Sequence, residues 1–114
     1  MSIPVPLDEL ATTLERFAAG YLLTVSADFR AHPVAVRPVV RDGVLELPGG
    51  LGRRSGENAL ARPDVTLLWP PVADDGYTLI VDGRAEARGE SVVVRPTTAV
   101  LHRPADHGGT AAVG

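Results

Sequence analysis

The run of residues best suited to chemistry lies near the middle of the chain, where glycines precede two arginines and a serine. A phosphate group needs positive charge and converging N–H donors, and glycine lets the backbone approach it closely. Arg53 and Arg54 could make bidentate contacts with such a group, and Ser55 could add its hydroxyl. A short predicted helix at 57–62 follows, and its N-terminus also favours an anion. The segment from Gly49 to Asn58 therefore predicts a phosphate-binding loop; the alternative is a solvated glycine-rich loop with Ser55 as a helix N-cap.

Two other segments could face an aromatic part of the same ligand. Arg37, Pro38 and Val39 lie within a predicted strand, and the proline has no N–H to give to a neighbouring strand. The interruption either leaves backbone groups for a ligand or marks an edge strand protected by proline and arginine. Trp69 is the only tryptophan and closes another strand. It could stack on a ligand ring, although core packing is the favoured interpretation.

Several kinds of chemistry are excluded by the residue types. The chain has no cysteine, which excludes disulfides, thiolate metal sites and a cysteine nucleophile. All 11 basic residues are arginine, so Schiff-base chemistry on lysine is excluded as well. His102 and His107 are poorly spaced for zinc, and we predict no metal site. Nothing in the spacing of Ser26, Asp28 and His32 arranges them as a catalytic triad.

The net charge and the hydropathy of the chain argue against nucleic-acid and membrane partners. The formal net charge is -3, which argues against a nucleic-acid-binding surface. No apolar run approaches the roughly 20 residues that a membrane helix requires. The first residues lack the basic and apolar regions of a secretory signal. We therefore expect a cytoplasmic protein without nucleic-acid or membrane partners.

The pattern of apolar residues predicts a mainly β fold. Leucines and a phenylalanine at spacings of three and four predict a helix from Leu7 to Phe17. Asp42-Gly43 predicts a hairpin turn, and Gly83 a bulge. Residues 1–104 are expected to form one small antiparallel barrel with a short helix after strand 3, and residues 105–114 a flexible tail. The six predicted strands lie at 21–26, 32–41, 44–47, 64–69, 77–87 and 91–102.

The order and spacing of these segments resemble a known family, the FMN-binding split barrels related to pyridoxamine 5'-phosphate oxidase. The resemblance rests on residues 21–26, 30–36, 42–47, 53–67 and 77–86. It implies a six-stranded split barrel that forms a homodimer with FMN at the subunit interface. Many small members of the family bind a deazaflavin instead, and some bind haem. The sequence is far shorter than the oxidase, and we expect it to have no counterpart of the oxidase's C-terminal substrate-binding segment.

The expected function is therefore that of a flavin-dependent oxidoreductase. FMN ranks first as cofactor, a deazaflavin coenzyme second and haem below both. The cofactor would contact Arg37, Pro38, Val39 and Trp69 as well as the arginines, serine and asparagine of the phosphate loop. No catalytic side chain is predicted, because the cofactor itself would carry the hydride chemistry. The alternatives are a non-catalytic flavin- or haem-binding module and a family member that has lost its ligand.

Overall fold

The computed structural model describes residues 1–73 and 76–104. A 3-10 turn at Leu7–Glu9 leads into helix α1, Leu10–Leu14, and a second helix, α2, spans Arg53–Ala61. The described residues form eight strands: β1 Ser2–Pro4, β2 Gly20–Val25, β3 Ala31–Val36, β4 Val39–Arg41, β5 Val44–Glu46, β6 Asp64–Trp69, β7 Thr78–Arg88 and β8 Ser91–His102. The predicted tail at 105–114 and the acidic pair Asp74-Asp75 lie outside the described residues.

The strands form one antiparallel sheet in the order β3-β2-β6-β7-β8-β5-β4, and β1 pairs with the end of β8. The mainly β antiparallel fold is confirmed, but the sheet is not closed, and β3 and β4 lie at its two ends. The predicted number of six strands is wrong. Backbone pairing breaks at Arg37 and Pro38, which divides the predicted strand at 32–41 into β3 and β4. The other additional strand is β1, which its own Pro4 and the nearby Pro6 made hard to predict from the sequence.

The hairpin between β4 and β5 turns where the sequence predicts it. Asp42 has φ 53° and Gly43 has φ 74°, the left-handed pair that a two-residue hairpin turn requires. The register places Arg41 opposite Val44 and Val39 opposite Glu46. This hairpin therefore fixes the position of β4 at the edge of the sheet.

The core lies on one face of the sheet. Alternate residues of β2 and β6 are buried, as a half-buried strand requires. The other face of β6, β7 and β8 carries exposed ion pairs, Asp64 with Arg84 and Glu86 with Arg95. The largest fully buried side chains are those of Trp69, Leu10, Leu22, Leu45, Leu67, Leu79, Val81, Val94 and Thr24. No helix of the described residues is long and apolar enough to span a membrane.

The predicted bulge at Gly83 is present. The register between β7 and β8 shifts between Asp82 and Gly83. A Cβ atom on Gly83 would lie 2.6 Å from the Arg95 carbonyl oxygen and 2.7 Å from Val94 Cγ1. A side chain at position 83 would therefore clash with β8, and only glycine fits there.

We predict that Gly83→Ala lowers the free energy of unfolding by about 1–3 kcal/mol, because the methyl group meets backbone that cannot move aside. Urea denaturation measures this loss. Gly56→Ala is the matched control: a Cβ there meets no atom within 4 Å, and the residue is helical, so stability should stay equal or rise. If the Gly83 variant is as stable as the wild type, position 83 does not require glycine and the prediction is wrong.

Candidate functional site

Helix α2 begins earlier than the sequence predicts. Arg53, Arg54 and Ser55 form its first turn instead of a loop, and the N-cap residue is Gly52, so the expectation of Ser55 as N-cap is wrong. Ser55, Asn58 and Ala59 are the buried residues of the helix. Their spacing of three and four places them on one face, packed against the sheet. The two arginines are therefore presented by a helix of fixed orientation.

A polar network fastens α2 to β2. Asn58 Nδ2 donates to Thr24 Oγ1 over 3.2 Å, and Arg62 Nη2 donates to Asn58 Oδ1 over 3.4 Å. Arg62 Nε donates to the Val25 carbonyl oxygen over 2.6 Å. Because Asn58 and Arg62 both use their polar atoms on the protein, they hold the helix in place beside the β2–β3 hairpin.

The structure separates the two arginines of the predicted phosphate loop. Arg53 forms an i,i+4 ion pair with Glu57 at 3.0 Å, and its side chain is 92% exposed. Arg54 instead lines a cavity of about 510 Å³ between the start of α2 and the β2–β3 hairpin. Arg30 and His32 line the same cavity. Sequence reasoning missed Arg30 as a partner of Arg54, because only the hairpin register brings it next to the helix.

Arg30 and Arg54 share this cavity with two carboxylates, Asp28 and Glu57. Ser26 Oγ donates a hydrogen bond to Asp28 Oδ1, and this bond, with a contribution from the charge of Arg54, lowers the pKa of Asp28. Glu57 is held by Arg53. Both carboxylates at the cavity thus have their own donors. Within the described part of the chain, no ion pair engages Arg30 or Arg54, and their guanidinium groups remain available to a ligand.

The segment with Pro38 lies beside a second cavity. Arg37 is exposed and lines a cavity of about 360 Å³ together with Ala35, Val36, Leu47 and other residues. Pro38 is half-buried, and Val39 is exposed at the start of β4. The segment connects the two ends of the open sheet, so both interpretations of the proline, an edge device and a ligand-facing interruption, remain compatible with its place.

Strand β3 joins the two cavities. Ala31 and His32 line the cavity of Arg54, and Ala35 and Val36 line that of Arg37. A strand rises about 3.3 Å per residue, so residues 31 and 36 lie roughly 17 Å apart. No residue of β3 is fully buried, and its only strand partner among the described residues is β2. The two arginines therefore mark the ends of one open, elongated surface.

Trp69 lies in the core and is not among the residues that line either cavity. It is 2% exposed, and a Cβ on Gly20 would lie 2.8 Å from its Cδ1 and Nε1 atoms. Its position in the described chain is that of a packed core residue. The structure does not bring Trp69 together with Arg37 or Arg54.

The histidines are dispersed. His102 Nδ1 shares a hydrogen bond with Ser2 Oγ over 3.0 Å, His32 lies at the first cavity, and His107 lies outside the described residues. Ser26 bonds to Asp28. Within residues 1–73 and 76–104, no three or more metal-binding side chains come together.

Comparison with curated proteins gives relatives of unassigned function. No family model matches the chain. An uncharacterized protein of Mycobacterium bovis and one of Mycobacterium tuberculosis are each 41% identical to it in the aligned region, which takes in 59% of this chain and 53% of theirs. The chain thus spans about half the length of these relatives.

Solved structures give the fold. An F420 reductase superposes with a TM-score of 0.64 at 22% identity, covering 80% of this chain and 94% of that one. A FAD-binding protein from Mycobacterium smegmatis gives 0.66 at 23%, covering 90% and 100%. A Listeria innocua protein named "putative pyridoxamine 5'-phosphate oxidase" gives 0.61 at 20%, covering 81% and 92%. The chain therefore has the split-barrel fold of the pyridoxamine 5'-phosphate oxidase-like proteins, as its sequence resemblance predicted.

Proposed function

We propose that this chain binds a phosphorylated flavin-type cofactor along β3 and acts as a flavin-dependent oxidoreductase. The observation that carries the proposal is the single edge strand that joins a cavity lined by Arg54 to one lined by Arg37. A long ligand with an anionic end and an aromatic end matches this arrangement. The names of similar structures, an F420 reductase and a FAD-binding protein, support the choice of a flavin-type ligand.

The phosphate end of the cofactor would lie at the start of α2. Arg54 and Arg30 supply guanidinium donors there, and the first turn of the nine-residue helix adds backbone N–H groups and the positive end of its dipole. Ser55 and Asn58 contribute by holding the helix against the sheet. Arg53 adds long-range positive charge, since its own guanidinium is paired with Glu57.

The ring would lie at the other end of β3. Val36 and Leu47 offer apolar surface, and Arg37 offers a cation beside it. Arg37 and Pro38 lie between β3 and β4, outside the strand pairing, so their carbonyl groups could meet the polar edge of a ring, and Val39 follows as the first residue of β4. These residues would bind and orient the ring and exclude water from one side of it. When bound, a flavin supplies hydride transfer, so no acid or base side chain is needed.

The arginines favour FMN over a deazaflavin. The two cofactors share the ring and the phosphate-bearing chain, but the natural deazaflavin carries a long anionic tail that needs further arginines. The arginines that could hold such a tail are Arg16, Arg37, Arg41 and Arg62. Arg62 is bound to Val25 and Asn58, and Arg41 lines a separate cavity beside Glu46. Arg16 and Arg37 are left, and Arg37 already serves the ring.

Titration with each cofactor, followed by flavin fluorescence, tests the proposal. We expect saturable binding of FMN, and weaker binding of the deazaflavin coenzyme. A deazaflavin that binds tenfold tighter, about 1.4 kcal/mol, would reverse the order. If neither cofactor binds, the proposed function is wrong, and the chain is a split barrel without a flavin ligand.

We also predict a homodimer in solution. Every residue of β3 is exposed or half-buried, and Tyr21 on the adjacent strand is a large exposed apolar side chain. A second copy that covers this edge would enclose the proposed cofactor. Light scattering should therefore give about twice the 12.0 kDa of one chain. A mass near one chain across micromolar concentrations would contradict the prediction.

A further inference from the structure

A third cavity lies where two hairpins meet. Its volume is about 430 Å³, and Arg41 on β4, Glu46 on β5, and Arg88 and Ser91 on the β7–β8 hairpin contribute its polar side chains. The strand register brings these side chains together, because Glu46 on β5 pairs with Val93 on β8, and Arg88 on β7 pairs with Ser91 on β8. Residues from distant parts of the sequence therefore converge on one space.

The cavity carries an excess of positive charge. Arg41 Nε lies 3.0 Å from one Glu46 oxygen, and Arg88 Nη1 lies 3.7 Å from the other. One carboxylate thus faces two guanidinium groups. Each guanidinium has five N–H donors, most of which these contacts do not use. The side chains of Arg41 and Arg88 are 67% and 53% exposed, so a ligand in solution can reach them.

This cavity adjoins the one proposed for the cofactor ring. Leu47, Pro48 and Gly50 line both. Gly49 and Gly50 form the turn between them with φ values of 84° and 71°, and a Cβ on either would meet no atom within 4 Å. A ligand in the third cavity would therefore lie next to the proposed ring, on the other side of this turn.

We propose that this third cavity binds a small organic anion, a carboxylate or a phosphate monoester, and is the substrate subsite of the protein. The assignment of the anion as a substrate rests on the proposed function, because it needs a cofactor ring next to it. Arg41 and Arg88 bind the anion, Ser91 adds a hydroxyl, and Glu46 holds the two arginines together while competing with the ligand.

The test is a titration of the ¹⁵N-labelled full chain, free of cofactor, with inorganic phosphate and separately with acetate, followed by amide chemical shifts. Saturable shifts are expected at Gly49, Gly50 and Ser91 with at least one of the two anions, and the stronger binder identifies the anion class. The double variant Arg41→Gln with Arg88→Gln should weaken binding tenfold or more, because two charge-assisted contacts are lost. Glu46→Gln should tighten it about threefold, because the competing carboxylate is removed.

Arg84→Gln is the matched control, since Arg84 is exposed and paired with Asp64 but lines no described cavity; its affinity should equal that of the wild type. Absence of shifts at the three amides, or equal binding by the double variant, would overturn the inference. Shifts of the amides of residues 54–58 in the same titration report the proposed cofactor-phosphate site independently. The two proposals can therefore fail separately.

Discussion

Trp69→Ala should lower the free energy of unfolding by about 3–5 kcal/mol, the usual cost of removing a buried aromatic side chain. Trp69 is buried in the described chain and packs directly against Gly20. The contact is so close that a side chain at position 20 would displace the indole. Urea denaturation of the cofactor-free protein measures the loss. Phe29→Ala is the control, because Phe29 is 85% exposed and its removal should change stability by less than about 0.5 kcal/mol.

The same variant separates the two interpretations of this tryptophan. If Trp69 served as a cofactor contact instead of a core residue, its replacement would lower FMN affinity while the stability of the cofactor-free chain stayed near that of the wild type. A stability loss below about 1 kcal/mol would therefore contradict the packing role.

Arg54→Ala should weaken FMN binding by about 1.5–3 kcal/mol, because one charge-assisted contact with the phosphate is removed. This corresponds to roughly a 10- to 150-fold rise in Kd. Arg53→Ala is the matched control one residue away: Arg53 is directed to solvent and paired with Glu57, so its loss should change Kd less than about threefold.

Fluorescence titration of both variants with FMN measures the two Kd values and shows which arginine contacts the phosphate. The sequence treats the two arginines as equivalent, whereas the structure assigns them different surroundings. Equal effects of the two substitutions, or a larger effect of Arg53→Ala, would contradict the assignment of the phosphate to the cavity between α2 and the β2–β3 hairpin.

Much of the fold could be predicted because its signals are local. The Asp42-Gly43 turn needs only two residues that tolerate positive φ, and the bulge at Gly83 follows from a glycine in a long strand. The division into β3 and β4 was also signalled by Pro38, but the valines on either side suggested one continuous strand. Strand β1 could not be predicted, since its three residues are stabilised by pairing with β8, about 100 positions away.

The candidate site was less predictable because it depends on contacts between distant segments. Gly52 and Gly56 disfavour a helix locally, so the start of α2 was predicted as a loop. Ser55, Asn58 and Ala59 lie at helical spacing, but two of the three are polar, so apolar periodicity does not reveal the helix. Nothing local distinguishes Arg53 from Arg54, or connects Arg41 with Arg88, because hairpin register and helix orientation determine both relations.

A crystal structure of the chain with FMN tests the central claim most directly. We expect electron density for the phosphate within hydrogen-bond distance of the Arg54 guanidinium, with the ribityl chain of the cofactor along β3 and the ring beside Arg37. Density for FMN elsewhere on the protein, or crystals grown at saturating FMN that contain none, would contradict it.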